Sequence, residues 1–401
     1  MKLVVFAHTP PPFHGQSYMV QLLIEGFGGD FRRKPERCRE SQSNEIECFH
    51  VNARFSSDIA AVGVFQIRKI FRLFAYCFEA IWCRFRYGAD TLYCIPAPPK
   101  RVAFYRDCVV LLLCRPFFRR LVFHWEASGL GEWLEREASW WERSISQSVL
   151  SFPDLSITLA EALSNDAAYF KSKRTCVAPN GISDPCRDFD ESVLRSREER
   201  VVRIREQFEK KGQRMANQER YNVLFLAHCT REKGLFDALD AIVLANQQLA
   251  AENVALRMHL TIAGAFLSQS ERSEFEAWQH AHPDQAHYVG FVAAGAKTKL
   301  LRESDCLCFP TYYSAEAQPI SIIEAMAFGL TIVASKWRGI PELLPKDYPL
   351  LISARDAPKL ASALIESMKL DLAKELRQHY CERFTAERYS RNLAKAFKRV
   401  C

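Results

Sequence analysis

Apolar positions along the chain follow two alternating rhythms. Short β-rich runs occupy 3–7, 46–51, 91–95, 121–124, 156–159 and 175–178, then 223–227, 259–263, 288–292, 306–310, 331–334 and 350–352. Stretches with helical spacing separate most of them. Strands alternating with helices imply parallel sheets covered on both faces, and two sets of six predict two doubly wound α/β domains. The first spans 1–183 and the second 221–386. Between them, 184–220 is rich in Arg, Glu, Lys and Gln and poor in large apolar residues, which predicts a charged linker with a solvated helix. The tail 387–401 continues a helical pattern through Leu393, Phe397 and Val400 and is a candidate to pack back on the first domain. In parallel α/β sheets ligands bind at the carboxyl ends of the strands, so two such domains facing each other make a cleft lined by loops of both.

One helical stretch stands apart. In 64–87, Val64, Ile67, Phe71, Phe74, Phe78, Ile81 and Phe85 recur at steps of three and four, Ile70, Leu73 and Trp82 broaden the apolar surface, and Lys69, Arg72, Glu79 and Arg86 lie on another side. Such a helix packs its stripe on the first domain's sheet or, with cationic flanks, rests on anionic lipid.

Composition sharpens this picture. The 401 residues are 48% hydrophobic and 25% charged, which excludes wholesale disorder, and the net charge is +7. Residues 54–120 hold twelve Lys/Arg against four acids, a local +8, so the remainder is near neutral and a diffuse nucleic-acid-binding surface is not expected. No apolar run reaches the roughly 18–20 residues of a membrane span. The longest candidate, 108–114, is far too short, and 1–7 lacks a signal-peptide core. A cytoplasmic protein, or one peripheral on the inner face of a membrane, is expected. The 14 cysteines include no CxxC pair and no Cys/His cluster at zinc spacing, so no metal is expected; Cys306 and Cys308 read as buried strand residues.

Chemistry concentrates in 311–342, TYYSAEAQPISIIEAMAFGLTIVASKWRGIPE. Glu316 lies in the loop after a strand, Pro319 suits a first helical turn, 320–328 forms a short helix and Gly329 caps it. A helix N-terminus presents N–H groups and a positive dipole end, which favour phosphate. Two carboxylates beside it, Glu316 and Glu324, can accept hydrogen bonds from the paired hydroxyls of sugar and ribose; spacing alone favours a solvated Glu316 and an ordinary helical Glu324, because glutamate pairs are common.

The segment resembles the E-x7-E motif of the retaining enzymes of glycosyltransferase family 4, whose fold is GT-B, and the match extends through EAMAFG and RGIPE. PPPFHGQS at 10–17, VAPNGI at 177–182, LFLAHCTREKG at 224–234, LTIAGA at 260–265, YVGFV at 288–292 and FPTYYSAEAQP at 309–319 fall in the family's order. The resemblance implies a retaining, metal-independent transfer of a sugar from a nucleotide diphosphate, with no further cofactor, to a glycan or lipid-linked acceptor of cell-surface polysaccharide synthesis. It assigns Lys233 to the phosphates with the N–H groups of Ile320 and Ser321, Glu316 to the donor sugar and Glu324 to the ribose. Phe291 and Val292 would border the base, and Gly15 would let the first domain's backbone approach the diphosphate. GT-B enzymes that extend lipid-linked glycans commonly rest their first domain on the membrane, which supports the lipid reading of 54–120.

Two positions depart from the pattern. His228 replaces the arginine of a GR-x4-KG motif, with Arg231 nearby as a source of charge. In FHWEASGLGEW at 123–133, Glu126 stands where relatives carry a histidine near the acceptor, and His124 lies two residues earlier; strand alternation would point both to one side. Either could bind the acceptor or steer its proton. These departures keep open a weak or inactive GT-B protein that binds sugar nucleotide or glycan. A nicotinamide-linked dehydrogenase is disfavoured, because HTPPPFHGQS after the first strand holds one glycine rather than G-x-G-x-x-G.

Overall fold

A computed structural model describes residues 1–12, 14–33, 46–55, 67–209 and 219–400. Phe13, the part of the basic segment at 56–66 with Val64, residues 210–218 of the predicted linker and Cys401 lie outside the described residues.

The described residues form two compact units, Met1–Ser183 with Phe384–Cys401, and Asp184–Arg383. The first contains β1 (Lys2–Ala7), β2 (Glu47–Asn52), β3 (Thr91–Cys94), β4 (Arg120–Trp125), β5 (Leu155–Thr158) and β6 (Thr175–Val177). The second contains β7 (Glu219–Leu226), β8 (Leu256–Ala263), β9 (Ala286–Gly290), β10 (Cys306–Phe309), β11 (Thr331–Ser335) and β12 (Leu351–Ile352). Each set makes one parallel sheet, ordered β2-β1-β3-β4-β5-β6 and β12-β11-β10-β7-β8-β9. All twelve predicted strands are present, and the doubly wound α/β architecture is the one expected. Central strands are covered on both faces: every residue of β3, β5 and β10 is buried, Cys306 and Cys308 included. Strand order reverses between β1 and β3 and between β7 and β10. Each reversal opens a crevice at the carboxyl ends, where this fold places ligands.

Three local expectations are corrected. Residues 184–209 do not behave as a linker: Asp184 pairs with Arg377 at 2.6 Å, and the helix Leu194–Glu209 holds Arg197 half-buried, its guanidinium donating to the carbonyls of Phe328, Ser304 and Leu301 at 2.7–2.9 Å. A charged composition hides this, because Arg197 packs by capping carbonyls rather than by apolar area. Pro319 stands one position earlier than expected, as the N-cap of the helix Ile320–Ala327; Gly329 (φ +57°) follows that helix as predicted.

The third correction concerns the helix Ile67–Tyr87, whose aromatic stripe does not face the sheet. Leu73, Cys77, Ala80 and Cys83 turn inward and join the first unit's core, while Phe71, Phe74, Phe78, Trp82 and Phe85 are exposed. Small side chains let the helix approach β1, β2 and the helix Arg101–Cys114 closely, a contact that bulky rings would hold apart. At the other end of the chain, the helix Ala386–Lys398 sets Phe397 beside Phe27 and Tyr93, with ring centroids 5.8 and 6.1 Å apart. Among the described residues, no helix is long and apolar enough to cross a membrane.

Candidate functional site

The second unit's site is built on the two strands that flank its reversal. After β7 the chain turns through His228, Arg231 and Lys233 to Gly234, which adopts φ +81° and starts the helix Leu235–Ala251. A Cβ at Gly234 would lie 2.3 Å from the Pro310 carbonyl oxygen, so only glycine lets this turn close on the chain leaving β10. The contact is locked by Tyr312 N–H donating to the Glu232 carbonyl at 2.8 Å. From beyond β11, Trp337 Nε1 donates to the Tyr313 carbonyl at 2.8 Å.

These backbone contacts bring together residues 83 positions apart. Lys233 Nζ donates to Glu316 Oε2 at 2.7 Å, Thr311 Oγ1 donates to the same oxygen at 3.0 Å, and the Tyr313 ring lies 4.8 Å from the ammonium. Glu316 is buried and the Lys233 side chain nearly so. Eight residues on, Glu324 is buried on the helix Ile320–Ala327 and paired with Lys297 of the helix Ala294–Glu303. Burial pushes the Glu324 carboxyl up, and Lys297 opposes that shift. The first-turn residues Ile320 and Ser321 are partly exposed. The result is one strand-end rim with two lysines, two carboxylates and a helix N-terminus, a set able to take an anion and a polyol together.

Other predicted donor residues are placed differently. Arg231 turns outward, bonded to Glu274 at 2.6 Å and stacked 4.5 Å over Phe236. His228 is half-buried in the loop. Phe291, exposed, and Val292 follow Gly290 at the end of β9, the sheet's edge strand. Gly15 opens the helix Gly15–Gly26 of the first unit, just after His14, which caps that helix and meets His8 at 2.8 Å between Nε2 atoms. Burial, with His14 and Arg106 adding to it, brings His8 down to about 4.

At the end of β4 in the first unit, His124 and Glu126 do face one side. Tyr93 Oη lies 2.6 Å from His124 Nδ1, His124 Nε2 is 3.6 Å from Glu126 Oε1, and Asn180 Nδ2 donates to Glu126 Oε2 at 3.4 Å. Tyr389 stacks on His124 with centroids 6.4 Å apart. Burial pushes Glu126 up to about 8, only partly offset by Asn180, and draws His124 down to about 3. Both are therefore neutral near pH 7. Lys297, Tyr93 and Tyr389 carry no sequence signal of their own; Thr311 and Tyr313 lie in the FPTYYSAEAQP segment and Asn180 in VAPNGI. Among the described residues, no three His, Cys, Asp or Glu side chains gather as a metal-binding group.

Residues 206–386 match the family model Glycosyl transferases group 1. Over 189 residues the chain is 25% identical to the putative colanic acid biosynthesis glycosyltransferase WcaL of Salmonella typhimurium, covering 44% of this chain and 45% of the relative. The chain thus matches less than half the length of that curated relative. The sucrose-phosphate synthase of Thermosynechococcus elongatus superimposes with a TM-score of 0.66 at 17% identity, covering 100% of this chain and 99% of the other. HepE of Anabaena, in complex with UDP and glucose, gives 0.61 at 16% identity over 100% of both chains. The chain therefore has the GT-B fold of these structures, and its residues 206–386 are similar to the glycosyl transferases of group 1.

Proposed function

We propose that the chain is a retaining, metal-independent glycosyltransferase that moves a sugar from a nucleotide diphosphate to a glycan or lipid-linked acceptor. Its setting is cell-surface polysaccharide synthesis, with the chain in the cytoplasm and residues 54–120 resting on an anionic membrane surface. The observation that carries this reading is the Lys233–Glu316 pair at 2.7 Å on the strand-end rim, beside the N-terminus of the helix Ile320–Ala327. A bound diphosphate takes over Lys233 as counter-ion and receives the N–H groups of Ile320 and Ser321, which stabilise the charge that builds on the leaving phosphate. Glu316, released, accepts from donor-sugar hydroxyls, and Glu324, held by Lys297, accepts from the ribose. Phe291 and Val292 border the base, His228 adds a hydrogen bond, and Gly15 gives the first unit's backbone access to the diphosphate. Glu126 or His124 binds the acceptor or steers its proton. The names of the relatives support the reaction class, and HepE's UDP and glucose support the donor class.

Release of nucleoside diphosphate and glycosylated product, followed across a panel of nucleotide sugars with lipid-linked acceptors, tests the reading. Glu316→Gln should abolish release with the fold intact, and a chelator should leave wild-type release unchanged. Turnover by Glu316→Gln equal to wild type would refute it. The engagement of Arg231 with Glu274 favours a second reading, donor binding with little or no transfer. UDP binding by calorimetry, without release from any donor, would establish that one.

A further inference from the structure

Among the described residues the stripe of the helix Ile67–Tyr87 is largely exposed, its ring contacts being Phe85 with Phe117 and Trp82 with Tyr87. Phe71 and Phe78 are each 72% exposed and Phe85 69%, with Phe74 and Trp82 between them on the same side. Exposed rings at this density are costly in water, and single surface aromatics do not explain five on one face. Arg72 and Arg86 flank the stripe and are exposed.

The stripe continues into a second feature. Phe85 meets Phe117 edge-on at 6.1 Å, and Arg84 Nε donates to the Phe117 carbonyl at 3.0 Å, fixing the helix end to the turn at 115–120. That turn borders a cavity of about 450 Å³ near the N-terminal ends of β3 and β4, lined by Arg115, Arg119, Arg120 and Lys173 together with the exposed Leu112 and Phe152. Asp154 bonds to Lys173 at 2.8 Å and Asp90 pairs with Arg120 at 3.4 Å, so four cations against two acids leave the cavity cationic. Cations around a polar hollow beside an apolar stripe match the two layers of a bilayer surface, headgroup phosphates above acyl chains.

We propose that this composite face docks on an anionic phospholipid bilayer, with Phe71, Phe74, Phe78 and Phe85 entering the acyl boundary and the Arg115–Arg119–Lys173 cavity receiving a headgroup phosphate. The proposal rests on the membrane-side reading above and names the surface that makes the contact. It selects anionic over zwitterionic lipid, because the cavity and the flanking arginines lie beside the rings.

Co-sedimentation of the full chain with vesicles of phosphatidylglycerol and phosphatidylcholine in equal parts, at an ionic strength of about 0.15 M, tests it. Binding should be roughly tenfold weaker on pure phosphatidylcholine. The triple variant Phe71→Ser, Phe78→Ser, Phe85→Ser should lose roughly tenfold on anionic vesicles while melting like wild type. Arg119→Gln with Lys173→Gln should weaken anionic binding and flatten its salt dependence. Equal binding to both lipids, full binding by the triple variant, or a dimer in sedimentation velocity that the triple variant dissolves without any vesicle binding would overturn the proposal. Nucleoside diphosphate release, measured without vesicles, reports on glycosyl transfer alone. Release without vesicle binding removes the docking face and leaves the transferase reading standing; vesicle binding without release does the reverse.

Discussion

His124 Nε2 and Glu126 Oε1 stand 3.6 Å apart inside the first unit, and neither atom has a hydrogen-bond partner among the described residues. Tyr93 meets the other side of the imidazole and Asn180 the other carboxyl oxygen. A buried carboxyl placed this way keeps its proton, since burial pushes it up to about 8 and the Asn180 amide offsets that only in part.

The stability consequence has a definite sign. Because the folded pKa of Glu126 lies above the ordinary carboxyl value, the native state holds the proton between about pH 4.5 and 8 while the unfolded chain has lost it. Stability from this group is therefore complete at low pH and is lost as pH rises through that window. Glu126→Gln keeps the shape and cannot ionise. Its stability, read from melts, should rise relative to wild type as pH increases from 5 to 9, by an amount on the order of 4 kcal/mol. Parallel melting curves for the two proteins across that range would show that the carboxyl is not held neutral.

Lys233 and Glu316 should be coupled energetically as well as sterically. Replacing Lys233 by Met strands a buried carboxylate and should cost about 2–4 kcal/mol, whereas Lys233→Met with Glu316→Gln removes both charges and should recover part of that loss. Denaturant titrations of the two single variants and the double variant complete the cycle. Simple additivity would mean that the pair is not formed in solution.

Two glycines separate conformational strain from close packing. Gly234 and Gly290 both have positive φ, +81° and +76°, but a Cβ at Gly234 meets Pro310 backbone at 2.3 Å, whereas one at Gly290 meets nothing within 4 Å. Gly290→Ala should cost about 1 kcal/mol, and Gly234→Ala about 3 kcal/mol or more with loss of the loop contact that sets Lys233. Thermal melts compare them directly; equal losses would mean that the loops do not touch.

Much of this was legible in the chain itself. Buried parallel strands are short, apolar and bounded by turns, so all twelve could be located, and the 311–342 segment announced its loop, helix and cap. What escaped detection depends on partners remote in sequence. Lys297 is an ordinary helical lysine until Glu324 folds beside it, and Tyr93 is a strand residue until His124 lies against its hydroxyl. Periodicity found the stripe of the helix Ile67–Tyr87 but not its direction. The inward face uses Cys77, Ala80 and Cys83, which count for little on a hydrophobic scale and yet permit the closest approach.

Composition misled most at 184–209, and Arg197 shows why that segment is structural. Its half-buried side chain donates to the carbonyls of Leu301 and Ser304 at the end of the helix Ala294–Glu303 and to that of Phe328 just past the helix Ile320–Ala327. Burial draws the group down to about 10, with Asp305 opposing, so it remains charged at neutral pH. One planar fork thus caps the helices that carry Lys297 and Glu324. Arg197→Met leaves these carbonyls without that donor and should destabilise the second unit by about 3 kcal/mol. Arg197→Lys should rescue little, because an ammonium cannot reproduce the fork. Hydrogen exchange should speed up in 294–303 and 320–328 of both variants and stay unchanged in the first unit's sheet. A lysine variant with wild-type protection would show that charge alone, without the fork, holds the segment in place.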